Sequence, residues 1–255
     1  MSIIAGPSNN CFTVPQSFSF RQQSWLVAND FFNFIKKPSR RHPNNADVKA
    51  TATAIFTLLA IVVVFSLLFT LPLTLVLIRV IGLDPRHDLN TGLYMVAALL
   101  LAPPVEELIF RAGLRRAFWT LFAMPSMIAM LDSGWLCASF IAGLTLAVAL
   151  IDQVYRQSLT ENARAILRWK RGRAFLTSYP TIIRVYACAF ALSHLSNFSV
   201  GGQFRWESAL VILAVSSQLM GGLILSYIRL RYGLLSSMTT HFLWNSITAG
   251  VILFQ

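Results

Sequence analysis

A chain of 255 residues that is 56% hydrophobic and only 12% charged falls well short of the roughly 25% charge of an average soluble domain, which excludes an ordinary water-soluble globule. The net charge of +11 does not indicate nucleic acid, because the basic residues sit at the ends of apolar runs and are not interleaved with base-stacking aromatics. Anionic lipid headgroups are the expected partner, at about 1 kcal/mol per juxtamembrane Lys or Arg. Cys11, Cys137 and Cys188 show neither paired nor metal-type spacing, and the N-terminus has no cleavable signal pattern.

Residues 1–49 form a polar N-terminal region containing Pro7, Pro15, Pro38 and Pro43. Within it Trp25, Ala28, Phe31, Phe32 and Ile35 recur at helical spacing, as in an amphipathic helix lying in the membrane interface; a loosely ordered tail is the alternative. A transmembrane domain is expected over residues 50–255. Its apolar runs, near 50–78, 89–105, 135–151, 182–194, 208–228 and 233–254, approach or exceed the roughly 20 residues that a helix needs to cross the hydrocarbon layer. Backbone groups cannot go unpaired in lipid, so the expected fold is all-α, a polytopic membrane bundle of about six transmembrane helices with interfacial amphipathic helices.

The first run carries no ionisable residue, and a kink is expected at Pro72. Residues 79–90, with Gly82, Asp84-Pro85 and Asp88, read as a turn. The apolar stretch 117–128 reads as a helix end broken at Pro125. The Arg-rich stretch 155–173 keeps Tyr155, Leu159, Ala163, Ile166 and Leu167 on one face and reads as a cationic helix on the membrane surface, with a solvated loop as the alternative. In the fifth run Ala214, Ser217, Gly221 and Gly222 allow close helix approach, which is packing and not chemistry.

Into this apolar frame fall Glu106, Glu107 and Arg111. A charged side chain at bilayer depth costs at least about 2.5 to 3.5 kcal/mol on insertion scales, so it normally faces a partner or water and marks function. With six spans, the second, fourth and sixth helices run in the same direction. A rise of 1.5 Å per residue then places Glu106, His194 and His241 roughly 18, 15 and 12 Å from their helix starts, in the middle third of a roughly 30 Å core. Glu107 and Arg111 lie one turn apart and face each other, while Glu106 points about 100° away towards another helix, where His194 is its natural partner for holding a water. His241 and Asn245, also one turn apart, can direct hydrogens at one point, as an oxyanion site requires.

Each of these residues also has a plain structural reading: His194 as a helix-to-helix hydrogen bond, Asn245 as glue, and Glu107 with Arg111 as a packing ion pair. His42 and His87 read as solvent-facing bystanders, and Asp132, Asp152 and Glu207 as headgroup-level residues.

At three places the chain resembles the CPBP family, the CAAX prenyl protease and bacteriocin-processing family of intramembrane glutamic endopeptidases. Glu106-Glu107-Leu-Ile-Phe-Arg111 is similar to its EExxxR motif, Phe190-Ala-Leu-Ser-His194 to FxxxH, and His241-Phe-Leu-Trp-Asn245 to HxxxN, within a family-like core over 93–255. Ala112 stands where the family often has Gly. The resemblance implies that Glu106 and His194 activate a water, that His241 and Asn245 stabilise the oxyanion, and that Glu107, Arg111 and Phe190 support the site. It implies a membrane-associated protein or peptide substrate, prenylated and CAAX-like in the eukaryotic members, with no cofactor and no metal. The expected location is integral and multi-pass, in a bacterial inner membrane. A zinc protease is disfavoured because HExxH is absent. A non-proteolytic scaffold or immunity protein remains an alternative reading, as does a polar-core transporter, against which the lack of an internal repeat counts.

Overall fold

The computed structural model describes residues 19–39, 47–85, 96–131, 134–200 and 210–253. The readings placed on Cys11, His42, His87, Asp132 and Glu207 lie outside these residues. The described residues are 89% helical, as an all-α membrane bundle requires. In chain order they form α1 Phe20–Lys36, α2 Val48–Ile81, β1 Leu83–Pro85, α3 Ala102–Phe110, α4 Met124–Leu131, α5 Trp135–Ser158, α6 Glu161–Ser193, β2 Phe198–Val200, α7 Val211–Ala214, α8 Ser216–Arg231 and α9 Leu234–Leu253.

Among the described residues three helices are long and apolar enough to cross a membrane: α2, α5, and α6 together with the turn that follows it. The other expected runs are shorter or interrupted here. The second run falls partly outside the described residues, and the fifth is divided at Val215 between α7 and α8.

Three of the prolines share one local arrangement, whereas Pro180 lies inside α6 without it. Proline has no N–H and its ring crowds the carbonyl of residue i−4, so an uninterrupted α-register through it is costly. Each of the three π-helical segments among the described residues, Ser66–Thr70, Ala97–Leu101 and Trp119–Ala123, lies just before a proline: Pro72, Pro103 and Pro125 respectively. The wider π-register moves the crowded carbonyl aside, and the helix continues. Pro72 therefore does not end α2, and residues 119–130 form one apolar helix, where the sequence had predicted a break at Pro125.

The Arg-rich stretch also differs from expectation. It is not a separate surface helix: Thr160 caps the N-terminus by accepting from the Ala163 N–H, and α6 then runs unbroken for 33 residues. At 1.5 Å per residue that is about 50 Å, longer than the roughly 30 Å hydrocarbon layer, so the cationic first turns are the overhanging end of a span.

The core lies between α6 and α8, with α1 and α2 against α8. Phe175, Tyr179, Ile183 and Phe190 of α6 pack with Ile224, Leu225 and Ile228 of α8, and with Phe31, Phe34 and Leu58 from α1 and α2. Small residues allow this closeness, as their spacing predicted. A Cβ on Gly222 would lie 3.1 Å from the Ala187 Cα of α6, and one on Gly221 would fall within the Trp244 ring of α9. A Gly221→Val substitution should therefore displace Trp244 and cost about 1–3 kcal/mol, the usual range for overpacking. Thermal unfolding in detergent measures it, and an unchanged melting temperature would contradict this packing.

Helix α1 opens with a capping box between Ser19 and Gln22 and buries Gln23, Val27, Asp30, Phe31 and Phe34. Trp25 and Phe32 of its expected apolar stripe stay 71% and 49% exposed. The buried Asp30 carboxylate accepts from Tyr227 Oη at 2.9 Å and from Arg231 Nε at 3.2 Å, which ties α1 to α8. An antiparallel ribbon pairs Asp84 of β1 with Ser199 of β2. Leu83 packs with Leu77 and Ala214, and the ribbon so anchors the segment that follows His194 to the end of α2.

Candidate active site

Helix α3 carries the two acids. Pro103 and Pro104 sit at its start, directly after the π-helical segment Ala97–Leu101, whose wider register takes up the missing N–H groups. Its exit is held by side chains from elsewhere. Arg229 of α8 donates to the carbonyls of Arg111 (3.2 Å) and Ala112 (3.0 Å), Thr120 donates to Gly113 O (2.7 Å), and Tyr179 of α6 donates to Leu114 O (2.8 Å). A cation at this end also complements the helix dipole.

Glu107 is fully buried and satisfied. It forms an ion pair with Arg111, itself only 1% exposed, as the one-turn spacing predicted. Its Oε1 also lies 3.1 Å from His241 Nδ1, and its Oε2 lies 2.5 Å from Ser237 Oγ. The single Ser237 hydrogen has a competing acceptor in Leu225 O at 3.0 Å. Glu107 thus does more than neutralise Arg111, because it joins α3 to α9 through two further side chains.

Glu106 differs from its neighbour. Its side chain is 27% exposed, and its Oε2 makes no hydrogen bond among the described residues while lying 3.5 Å from His241 Nε2. His241 therefore stands between the two acids, Nδ1 towards Glu107 and Nε2 towards Glu106. A carboxylate ion-paired with an arginine only accepts, so Nδ1 carries a hydrogen. At 3.5 Å, His241 Nε2 and Glu106 Oε2 are close without forming a hydrogen bond.

His194 ends α6 and begins a 3₁₀ turn. Its Nδ1 is 2.8 Å from Phe190 O. A carbonyl only accepts, so the hydrogen is on Nδ1 and the neutral ring presents Nε2 as an acceptor. Its ring packs on Phe190, which also meets the His241 ring and the Arg111 guanidinium, so His194 lies beside the other motifs.

Phe190 explains why the aromatic lies one turn before the histidine. The Arg111 guanidinium carbon sits 4.0 Å from its ring centroid, the His194 ring 4.7 Å and the His241 ring 5.7 Å away, with Phe110 edge-on at 5.4 Å. Three polar groups from three helices share this one apolar hub. Asn245 is half-buried on α9, one turn beyond His241 and next to Trp244, which fills the gap over Gly221.

Comparison with protein-family models matches residues 88–247, more than half of the chain, to the type II CAAX prenyl endopeptidase Rce1-like family. The chain belongs to this CPBP family. Comparison with the curated proteins and with the solved structures finds no match in either. Members of the Rce1-like family are membrane-embedded CAAX-type proteases acting on membrane-associated proteins, and the long apolar helices here accord with a multi-pass membrane protein.

Several site-shaping residues of this Rce1-like chain went unnoticed in its sequence. Ser237 precedes His241 by one turn on the same face as Asn245, a spacing that was visible in the sequence. Arg229, Tyr179 and Thr120 gave no such signal, since they reach α3 only through the tertiary fold. Removing the Ser237 hydroxyl leaves a buried acceptor short of one donor, which costs about 1–3 kcal/mol. Ser237→Ala should accordingly lower the melting temperature and reduce kcat/KM on a CAAX-type peptide. Retention of both would reduce Ser237 to a passive neighbour.

Proposed function

We propose that this protein hydrolyses a peptide bond of a membrane-associated, prenylated CAAX-like protein with a water activated by Glu106 and His194. The observation that supports this reading is the contrast between the two acids: Glu107 is buried with every oxygen occupied, whereas Glu106 is partly open and its Oε2 lacks a hydrogen bond among the described residues.

In the proposed reaction the water donates to the Glu106 carboxylate and to His194 Nε2. One of its protons passes to this pair as its oxygen attacks the scissile carbonyl carbon. Charge develops on the carbonyl oxygen. His241 in its doubly protonated form offers Nε2–H to that oxygen, with Glu107 supporting the positive ring at Nδ1, and the Asn245 amide is the second donor. Each such donor is worth about 2.7–4 kcal/mol in the transition state. Collapse of the tetrahedral intermediate breaks the C–N bond, and the proton taken from water goes to the departing amine. No metal takes part in this scheme.

The test uses the purified full chain with a farnesylated CAAX-ending peptide and its unprenylated counterpart, with products weighed by mass spectrometry. The expected result is release of the C-terminal fragment from the prenylated peptide, with the rate unchanged by EDTA or 1,10-phenanthroline. Cleavage abolished by chelators would overturn the metal-free scheme, and cleavage of neither peptide would remove the CAAX substrate class.

A further inference from the structure

Helix α5 spans Trp135–Ser158 with none of its described residues buried. Leu144, Leu146, Leu150 and Ile151 are 53–68% exposed, so the fold leaves this apolar rod to be surrounded by lipid. At its C-terminal end the chain turns through Leu159 and Thr160 into α6. There Gln153, Arg156 and Gln157 of α5, with Arg164 and Arg168 of α6, line an open cavity of about 260 Å³.

The lining is three guanidiniums and two carboxamides, with no carboxylate. The nearby Asp152 is already taken by Arg156 (3.0 Å) and by Arg171 (2.5 Å). Arg164 is braced by its own turn, with Nε on Leu159 O at 2.9 Å and one Nη on Gln157 O at 3.4 Å. This leaves its other Nη without a hydrogen bond or ion pair among the described residues, and Arg168 makes neither. Arg156 thus has its anion in Asp152, whereas Arg164 and Arg168 face the space with no carboxylate among its lining residues.

The depth of the cavity identifies the anion. The apolar part of α5, residues 135–151, rises about 25 Å before the first charge at Asp152, close to the thickness of the hydrocarbon layer. Tyr155 and Trp169 beside the cavity are 50% and 62% exposed, as aromatic residues at the membrane–water boundary are. A cavity at that level meets lipid phosphates, and guanidinium forks match the oxygens of a phosphodiester. We propose that the α5–α6 turn is a binding site for an anionic phospholipid, its phosphodiester held by Arg164 and Arg168 and its acyl chains lying along α5. A zwitterionic lipid fits less well, because its headgroup cation would stand among the arginines.

The test measures binding, so its outcome is separate from that of the protease reading. The delipidated full chain in detergent is titrated with phosphatidylglycerol, with phosphatidylcholine and with inorganic phosphate, and bound lipid is counted by native mass spectrometry. Phosphatidylglycerol is expected to bind at least tenfold tighter than phosphatidylcholine. Arg164→Gln with Arg168→Gln should weaken it about 30-fold, at roughly fivefold per juxtamembrane arginine. Arg79→Gln, an exposed arginine at the end of α2, should leave binding unchanged. Equal binding of the two lipids, an equal loss in the Arg79 variant, or displacement of the lipid by equimolar inorganic phosphate would each overturn the proposal.

Discussion

Glu107→Ala should destabilise the protein by about 3–5 kcal/mol, because it strips the carboxylate from a buried arginine and leaves that charge uncompensated. Arg111 is 1% exposed and Glu107 is fully buried, so water cannot replace the lost partner. The same carboxylate holds His241 Nδ1 and Ser237 Oγ, and the damage therefore reaches α9 as well as α3. Glu107→Gln keeps the shape but removes the charge, and its effect should fall between Ala and wild type. Thermal or denaturant unfolding in detergent reads both changes. A Glu107→Ala variant with wild-type stability would mean that Arg111 finds another partner and that the α3–α9 junction does not depend on this acid.

Glu106→Gln should do the reverse. The side chain is 27% exposed, and its Oε2 forms no hydrogen bond among the described residues, so its loss breaks little that supports the fold. As the proposed base it carries the proton taken from water, and removing a positioned general base lowers rate by about 10²–10⁴. The expected variant has a melting temperature within a few degrees of wild type, an unchanged KM for the peptide, and kcat reduced by that factor. Two neighbouring acids would then show opposite signatures, one in stability and one in rate. If Glu106→Gln instead unfolded the protein as readily as Glu107→Ala, the division of roles between them would be lost.

Much of this arrangement was legible in helical spacing. The Glu107–Arg111 pair follows from two residues one turn apart in an apolar helix, where neither charge can stay alone, and Phe190 beneath His194 follows from the same rule. Close packing at Gly221 and Gly222 followed from residue size. Other features were hidden for identifiable reasons. A break at Pro125 was expected because the sequence does not reveal that a π-register will absorb a proline. The cationic surface helix was expected because composition marks where charge changes and not where a helix ends. Trp25 and Phe32 of α1 were grouped with Phe31 as one apolar stripe. The buried face includes Gln23 and Asp30 instead, since Tyr227 and Arg231 of α8 give Asp30 its partners.

The amino-acid sequence by itself determined that this is an all-α membrane chain, which residues interrupt its apolar helices, and which of them pair within one helix. Those properties follow from solvation cost and from a repeat of 3.6 residues, and both act locally. Only the tertiary structure decided that His241 stands between the two glutamates, that Phe190 gathers Arg111, His194 and His241 around one ring, and that Arg229 and Tyr179 close the end of α3. Each of these is a contact between helices distant in the chain. Hydrogen-bond direction and ring packing there depend on ångström-scale approach, which the spacing of residues along a single helix does not encode.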